Sequence, residues 1–185
     1  MNILKNTTQL ALLMCSQYED KEKIAVDATC GNGHDTLWLA ERFKKVYAFD
    51  IQEAAVESTR KLLEKHDMEA KVHLINDSHG NMDKYLEEAP QVIVFNLGYL
   101  PGGDKSVTTE KGETLEAVEK SLELLAVDGL LCSTMYQGHE QGAAEREAIL
   151  NWAPQLSKSK YHCVYTNMVN QKNNPPEILW ITKKK

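Results

Sequence analysis

The sequence from residue 24 to residue 36 reads Ile24-Ala25-Val26-Asp27-Ala28-Thr29-Cys30-Gly31-Asn32-Gly33-His34-Asp35-Thr36. A short apolar run ends at an acid, two glycines follow, and a helical pattern begins, which predicts a strand, a tight turn and the start of a helix. In an open α/β sheet, the crevice beyond the carboxyl end of the first strand receives nucleotide-like ligands beside the exposed amides of the helix N-terminus. We therefore expect a ligand site at this turn.

The polar residues of this turn each admit two interpretations. Gly31 and Gly33 lack a Cβ and let the backbone approach a ligand. Asp27 closes the strand and can hold either the turn or a cationic group. Asp35 lies in the first helical turn, where the helix dipole favours a negative charge, so it either contacts the ligand or only caps the helix. His34 has the same two options.

Strands and helices alternate along the rest of the chain. The patterns predict strands at 24–28, 46–50, 71–75, 91–96, 129–136, 160–167 and 177–182, and helices at 7–17, 34–42, 54–66, 82–86, 110–125 and 141–153. Such alternation is typical of a mostly parallel sheet, whereas the last two strands, joined by the polar segment 170–176, predict an antiparallel hairpin at one edge. Neither a linker nor a repeat interrupts the pattern, so residues 1–185 are expected to form one α/β domain.

The composition indicates a globular core and the cellular compartment in which the protein is expected. The hydrophobic content of 42% over 185 residues supports a substantial core. The N-terminus lacks a basic-then-apolar leader, and the apolar runs are far shorter than the ~18 residues of a membrane span, so we expect a cytoplasmic protein without a membrane partner. The cysteines are widely spaced, with no histidine at metal-ligand spacing, which predicts reduced thiols, mostly buried, and no metal site; they are Cys15, Cys30, Cys132 and Cys163.

The charge distribution bears on the substrate. A net charge of -6 argues mildly against a generic nucleic-acid binder. The last thirty or so residues are more basic than the rest, which leaves open either a local basic patch or a solvated tail; the lysines concerned are Lys158, Lys160, Lys172, Lys183, Lys184 and Lys185.

Two further strand ends indicate which ligand the turn holds. Asp50 follows the second strand, about 20 residues after Gly31, where an acid either accepts hydrogen bonds from ribose hydroxyls or forms a turn. Asp77 and Ser78 follow the third strand, where they either meet an adenine amino group or form a plain turn. The third glycine of a dinucleotide fingerprint is replaced by Thr36, which counts against a nicotinamide-dependent oxidoreductase.

These stretches resemble the motifs of a known family. Asp27–Gly33, Ala48–Gln52 and Asn76–His79 resemble the first three motifs of class I S-adenosylmethionine-dependent methyltransferases. Gly31–Thr36, Phe95–Lys105, Tyr136–His139 and Asn170–Pro176 resemble, more narrowly, the small family long labelled putative rRNA methylases.

The resemblance implies a fold, a cofactor and a reaction. The fold is a Rossmann-like methyltransferase fold, with a mostly parallel seven-stranded sheet, an antiparallel edge hairpin and helices on both faces. The reaction is S-adenosylmethionine-dependent methylation of the 5-aminomethyl group of wobble 2-thiouridine in tRNA; a small molecule or rRNA is the alternative substrate. The implied partner is the anticodon stem-loop of tRNA, and a homodimer is left open. The implied cofactor-binding residues are Asp27, Thr29, Gly31, Asn32, Gly33, His34, Asp35, Thr36, Asp50, Ile51, Gln52, Asp77, Ser78, His79 and Asn96.

The resemblance also implies catalytic residues around the fourth strand. The stretch Asn96–Tyr99 is similar to the Asn-Pro-Pro-Tyr motif of amino-methyltransferases, in which the amide oxygen accepts a hydrogen bond from the amine and the aromatic ring stacks on the base. Asn96 and Tyr99 take those positions here. Leu97 and Gly98 depart from the motif, which fits a flexible aliphatic amine better than a planar one.

Two further side chains are candidates for handling the proton of the amine. An aliphatic amine is mostly protonated near neutral pH, so a nearby acceptor would help the reaction. Asp104 and His139 are candidates for this acceptor. The alternative roles are a loop-stabilising one for Asp104 and a structural one for His139. The stiff segment 170–176 is expected over the substrate side of the pocket, although a plain hairpin connection would explain its composition.

Overall fold

The first strand lies at the centre of a seven-stranded sheet in the computed structural model, which describes residues 6–98, 111–138, 140–172 and 174–185. The strands are β1 Ile24–Asp27, β2 Lys45–Phe49, β3 Val72–Ile75, β4 Val92–Leu97, β5 Leu130–Met135, β6 Tyr161–Thr166 and β7 Glu177–Lys183. The helices are α1 Thr7–Cys15, α2 His34–Arg42, α3 Glu53–Lys65, α4 Lys111–Leu124 and α5 Glu140–Trp152. Short 3-10 helices cover Ser16–Tyr18, Glu69–Lys71, His79–Lys84 and Ala153–Gln155.

The strand order is β3-β2-β1-β4-β5-β7-β6. Strands β1 to β5 run parallel, and β7 is antiparallel to both β5 and β6. The predicted fold, a mostly parallel seven-stranded sheet with an antiparallel edge hairpin, is confirmed. The carboxyl ends of β1 to β5 share one edge of the sheet, hereafter the carboxyl edge, and β7 begins there because Glu177 pairs with Met135.

Helices cover both faces of the sheet, which explains why the central strands read as continuous apolar runs. All four residues of β1 are buried. Val26 faces a cluster that includes Val118 of α4 and Ile149 of α5. Ala25 faces the opposite cluster, which contains residues of α1, α2 and α3, including Leu39. Successive side chains of β1 therefore bury into different layers, as the two-residue period of a strand requires.

The prediction of an α-helix at residues 82–86 is wrong. The segment expected at 82–86 is a 3-10 helix over His79–Lys84. Local side-chain contacts favour the tighter turn, because the Ser78 hydroxyl accepts the Gly80 N–H and the Asp77 carboxylate accepts the Ser78 N–H.

The structure also bears on the cysteines, on membrane-spanning helices and on metal ligands. Cys15, Cys30 and Cys132 are buried free thiols, whereas Cys163 on the edge strand β6 is exposed. In the part of the chain that the structure describes, no helix is both long and apolar enough to cross a bilayer. The same residues contain no cluster of three potential metal-ligating side chains.

Candidate functional site

The carboxyl edge brings together the strand ends that were separate in the sequence. Asp27 ends β1, Asp50 follows β2, and Asn96 lies near the end of β4. These three strands are neighbours in the sheet. The crevice beyond them is where this class of sheet binds ligands.

Asp27 is the most deeply buried of these three side chains. Its side chain is fully buried and accepts hydrogen bonds from the Thr36 hydroxyl at 2.6 Å and the Thr29 N–H at 3.2 Å. Burial and the nearby charge of Asp35 raise the pKa of Asp27 to about 7, although the two hydrogen bonds oppose the shift. Thr36 is itself fully buried, so its hydroxyl supports Asp27, and the two side chains stabilise the turn from the interior.

The pKa of Asp27 predicts how stability depends on pH. The folded protein holds this proton between about pH 4 and pH 7, where the unfolded chain has lost it, so the stabilising contribution is present at low pH and is lost as the pH rises through about 7. We expect the melting temperature of the cofactor-free protein to fall from pH 5 to pH 7.5 and to fall less in Asp27→Asn. Differential scanning calorimetry of both proteins at several pH values measures the melting temperatures. An equal fall of the melting temperature with pH in the two proteins would contradict the prediction.

The turn after β1 is tied to the neighbouring elements. Gly31 has a φ of +52°, and its N–H donates to the Asp50 carboxylate at 3.0 Å. The Thr59 hydroxyl of α3 donates to the Gly31 carbonyl at 3.1 Å. Gly33, at φ +82°, is the N-cap of α2. Thr59 has no recognisable signal in the sequence, since it lies in α3, well away from the motif.

Asp50 has a structural role and retains capacity for a ligand. One carboxylate oxygen accepts the Gly31 N–H and the other accepts the Gln52 N–H at 3.0 Å. The turn-forming interpretation is therefore correct. A carboxylate has about four acceptor sites, so two hydrogen bonds leave room for ribose hydroxyls, and this second role stays a prediction. Ile51 beside it is 41% exposed and offers an apolar surface at the same edge.

We expect Asp50→Ala to weaken S-adenosylmethionine binding by about 1–3 kcal/mol, because charge-assisted hydrogen bonds to the ribose are lost. Titration calorimetry measures the change, with Glu64→Ala on the exposed side of α3 as the control. Unchanged affinity would show that Asp50 only forms the turn.

The residues after β3 are held by a local network. The Asp77 carboxylate accepts hydrogen bonds from the Asn81 amide at 2.9 Å and the Tyr85 hydroxyl at 2.8 Å. These bonds lower the pKa of Asp77. The His79 ring is buried, with Nδ1 at 3.1 Å from the Ala28 carbonyl. His79 therefore supports the turn after β1, and contact of this segment with an adenine ring stays a prediction.

Asn96 links β4 to the glycine turn and to α2. Its backbone N–H donates to the Thr29 hydroxyl at 2.7 Å, and its side-chain Nδ2 donates to Oδ2 of Asp35, also at 2.7 Å. Burial raises the pKa of Asp35, while the Asn96 bond and the His34 charge act in the opposite direction. Asn32 and His34 are exposed at the same edge, and the Asn32 side chain accepts a 3.4 Å hydrogen bond from Ser58.

Three predicted catalytic residues, Tyr99, Asp104 and His139, lie outside the described residues, as does Asn173 of the segment 170–176. The end of that segment is described. Pro176 accepts a hydrogen bond from the Thr7 hydroxyl at 3.2 Å, which ties the segment to α1 just before β7 begins at the carboxyl edge.

The described residues fit S-adenosylmethionine. A half-buried carboxylate with spare acceptor sites suits the ribose, exposed Ile51 suits the adenine ring, and the N-terminus of α2 suits the carboxylate of the methionine part. When bound, this cofactor supplies an electrophilic methyl group. The residues that would hold it are Gly31, Asp50 and Ile51, on a turn that buried Asp27 stabilises.

Comparison with known proteins agrees with this fit. A family model described as "Putative rRNA methylase" matches residues 46–182. A chloroplastic tRNA (mnm(5)s(2)U34)-methyltransferase of Arabidopsis thaliana is 35% identical over 181 residues, which cover 90% of this chain and 66% of that protein. The chain thus spans just under two thirds of this relative's length.

Two solved structures superpose over nearly the whole chain. A putative rRNA-methylase from Clostridium thermocellum gives a TM-score of 0.93 at 36% identity, covering 97% of this chain and 98% of the other. A putative methyltransferase from Streptococcus mutans, solved in complex with SAH, gives 0.90 at 41% identity, with the same coverage of 97% and 98%. The chain therefore belongs to the putative rRNA methylase family of class I methyltransferases, and its cofactor is S-adenosylmethionine.

Proposed function

We propose that this methyltransferase acts on the 5-aminomethyl group of wobble 2-thiouridine in tRNA and converts it to the 5-methylaminomethyl group. The observation that carries the proposal is the place of Asn96, half-buried at the carboxyl edge between the glycine turn and α2. A side-chain amide there offers an oxygen to the N–H of an amine. The named activity of the Arabidopsis relative supports the choice of substrate.

The reaction is an in-line displacement. The amine lone pair attacks the methyl carbon, an N–C bond forms as the S–C bond breaks, S-adenosylhomocysteine leaves, and the amine loses one proton to water or to a nearby acceptor. The enzyme contributes mainly by holding nucleophile and methyl carbon in line. Asn96 is suited to this because its backbone is tied to Thr29 and its side chain to Asp35.

The charge distribution limits how the tRNA can approach. The Lys183 ammonium donates to the Leu125 carbonyl just before β5, and the Lys184 N–H donates to the Lys160 carbonyl. These lysines therefore lie at the opposite edge of the sheet from Asn96, about 20 Å away for a six-residue strand. Lys172, exposed in the segment before β7, is the predicted basic residue nearest the carboxyl edge. A nucleotide in the pocket meets little of the C-terminal basic segment.

Nucleoside mass spectrometry tests the proposed substrate. The purified protein is incubated with S-adenosylmethionine and with tRNA whose wobble base carries the unmethylated aminomethyl group, and fully methylated tRNA serves as the control. We expect the methylaminomethyl nucleoside only in the first reaction. Its absence there, with methyl transfer to rRNA instead, would overturn the proposal.

A small-molecule amine is the second candidate, because the net charge of -6 and the distant lysines both suit an uncharged or cationic substrate. Competition separates the two substrates. Excess tRNA that carries the aminomethyl base should suppress methylation of a small amine if tRNA is the substrate, and should leave it unchanged otherwise.

A further inference from the structure

We propose that Asp35 is a positioning residue that orients the Asn96 amide so that its oxygen faces the substrate amine. This inference rests on the proposed function, since it assigns Asp35 a part in the same methyl transfer. Cofactor contact and helix capping are the interpretations that the sequence offers for Asp35, and neither involves Asn96.

The hydrogen bond determines which way the amide points. An amide can present either NH₂ or oxygen to a neighbour, and the choice follows from the neighbour's chemistry. An ionised carboxylate only accepts, so the 2.7 Å contact requires Nδ2 of Asn96 to face Oδ2 of Asp35. The amide oxygen then lies on the other side and is available as an acceptor.

The two partners are held independently of each other. The Asn96 backbone is fixed by the 2.7 Å bond to the Thr29 hydroxyl, so only its side-chain torsions are left to Asp35. Asp35 lies in the first turn of α2, directly before Thr36, whose 2.6 Å bond to buried Asp27 anchors that turn. Burial raises the pKa of Asp35, whereas the Asn96 hydrogen bond and the helix dipole favour its charged form.

The charge of Asp35 has a second effect on Asn96. A carboxylate that accepts from one end of an amide polarises it and makes its oxygen a stronger acceptor. An acceptor of this kind suits an amine, which donates N–H groups while its lone pair points at the methyl carbon. A neutral partner in place of Asp35 would lose both the fixed orientation and the polarisation.

Kinetics of Asp35→Asn test this role. We expect kcat to fall about 10-fold to 100-fold, while the dissociation constant for S-adenosylmethionine changes less than about threefold. Glu53→Gln is the matched control, because Glu53 is an exposed acid in the first turn of α3, where the helix dipole acts on it as it does on Asp35. A residue that merely caps its helix would change the melting temperature as Glu53→Gln does and leave kcat unchanged.

A double-mutant cycle shows whether Asp35 acts through Asn96. If it does, Asp35→Asn should lower the rate of Asn96→Ala by less than about twofold, because the group it orients is already gone. Losses that multiply in the double variant would overturn the inference.

An NMR measurement decides the orientation without any substrate. The Asn96 Nδ2 signals, assigned by their loss in Asn96→Ala, should include one proton that is shifted downfield and slow to exchange, and Asp35→Asn should remove both properties. Unchanged signals in Asp35→Asn would overturn the inference. By contrast, a parent protein that does not methylate the tRNA would overturn the proposed function, and the amide spectrum would still show whether Asp35 holds Asn96.

Discussion

Replacing Asn96 with alanine is expected to lower the rate of methyl transfer about 100-fold, while the affinity for S-adenosylmethionine changes little. The side chain supplies the oxygen that orients the amine, and a misaligned nucleophile costs a large part of the rate. The substitution leaves the bond from the residue 96 backbone N–H to Thr29 in place, so β4 and the glycine turn keep their connection. Single-turnover assays on substrate tRNA, with titration calorimetry for the cofactor, measure the two quantities separately.

Asn151→Ala is the control for this variant, because Asn151 is exposed on α5, away from the site. It should keep the parent rate. If Asn96→Ala folds, binds cofactor and transfers methyl within a few-fold of the parent, Asn96 is structural, and the catalytic assignment moves to residues 99–104.

Replacing Gly33 with alanine is expected to weaken cofactor binding by at least about tenfold and to lower the melting temperature by about 5–10 °C. Gly33 has a φ of +82°, which costs an L-residue about 1–2 kcal/mol. An added Cβ would also lie 2.9 Å from the Cα of Thr59, and backbone cannot move aside as a flexible side chain can. α2 would then shift against α3, and the turn that carries Gly31 would shift with it.

Gly138→Ala is the matched control for this substitution. Among the described residues, a Cβ at Gly138 meets nothing within 4 Å, so the melting temperature and the cofactor affinity should both stay near the parent values. Calorimetry and thermal denaturation measure both variants. Parent-like cofactor binding by Gly33→Ala would place the pocket away from this turn.

Local features of the chain predict the elements well. The helix expected at 34–42 agrees with α2 at both its first and its last residue. It begins directly after a glycine in the left-handed region, and its apolar period ends at Arg42. The prediction of a helix at 82–86 is wrong, because the Asp77 and Ser78 side chains accept backbone N–H groups and favour a tight turn, and the apolar period extends over only a few residues. The antiparallel hairpin was predictable, whereas the insertion of β7 between β5 and β6 was not.

The sequence by itself determined the strand, the glycine turn and the helix that follows it, the alternation that produces a parallel sheet, and the acids at the strand ends. Each of these depends on residues within one or two turns of chain. Only the tertiary structure decided that Asn96 meets Asp35, 61 residues away, that Gly33 lies against Thr59, and that Lys183 and Lys184 lie at the opposite edge of the sheet from Asn96. These contacts depend on strand order, register and helix packing, which bring residues together that are distant in the sequence. Such contacts produce no periodic pattern in the sequence from which they could be predicted.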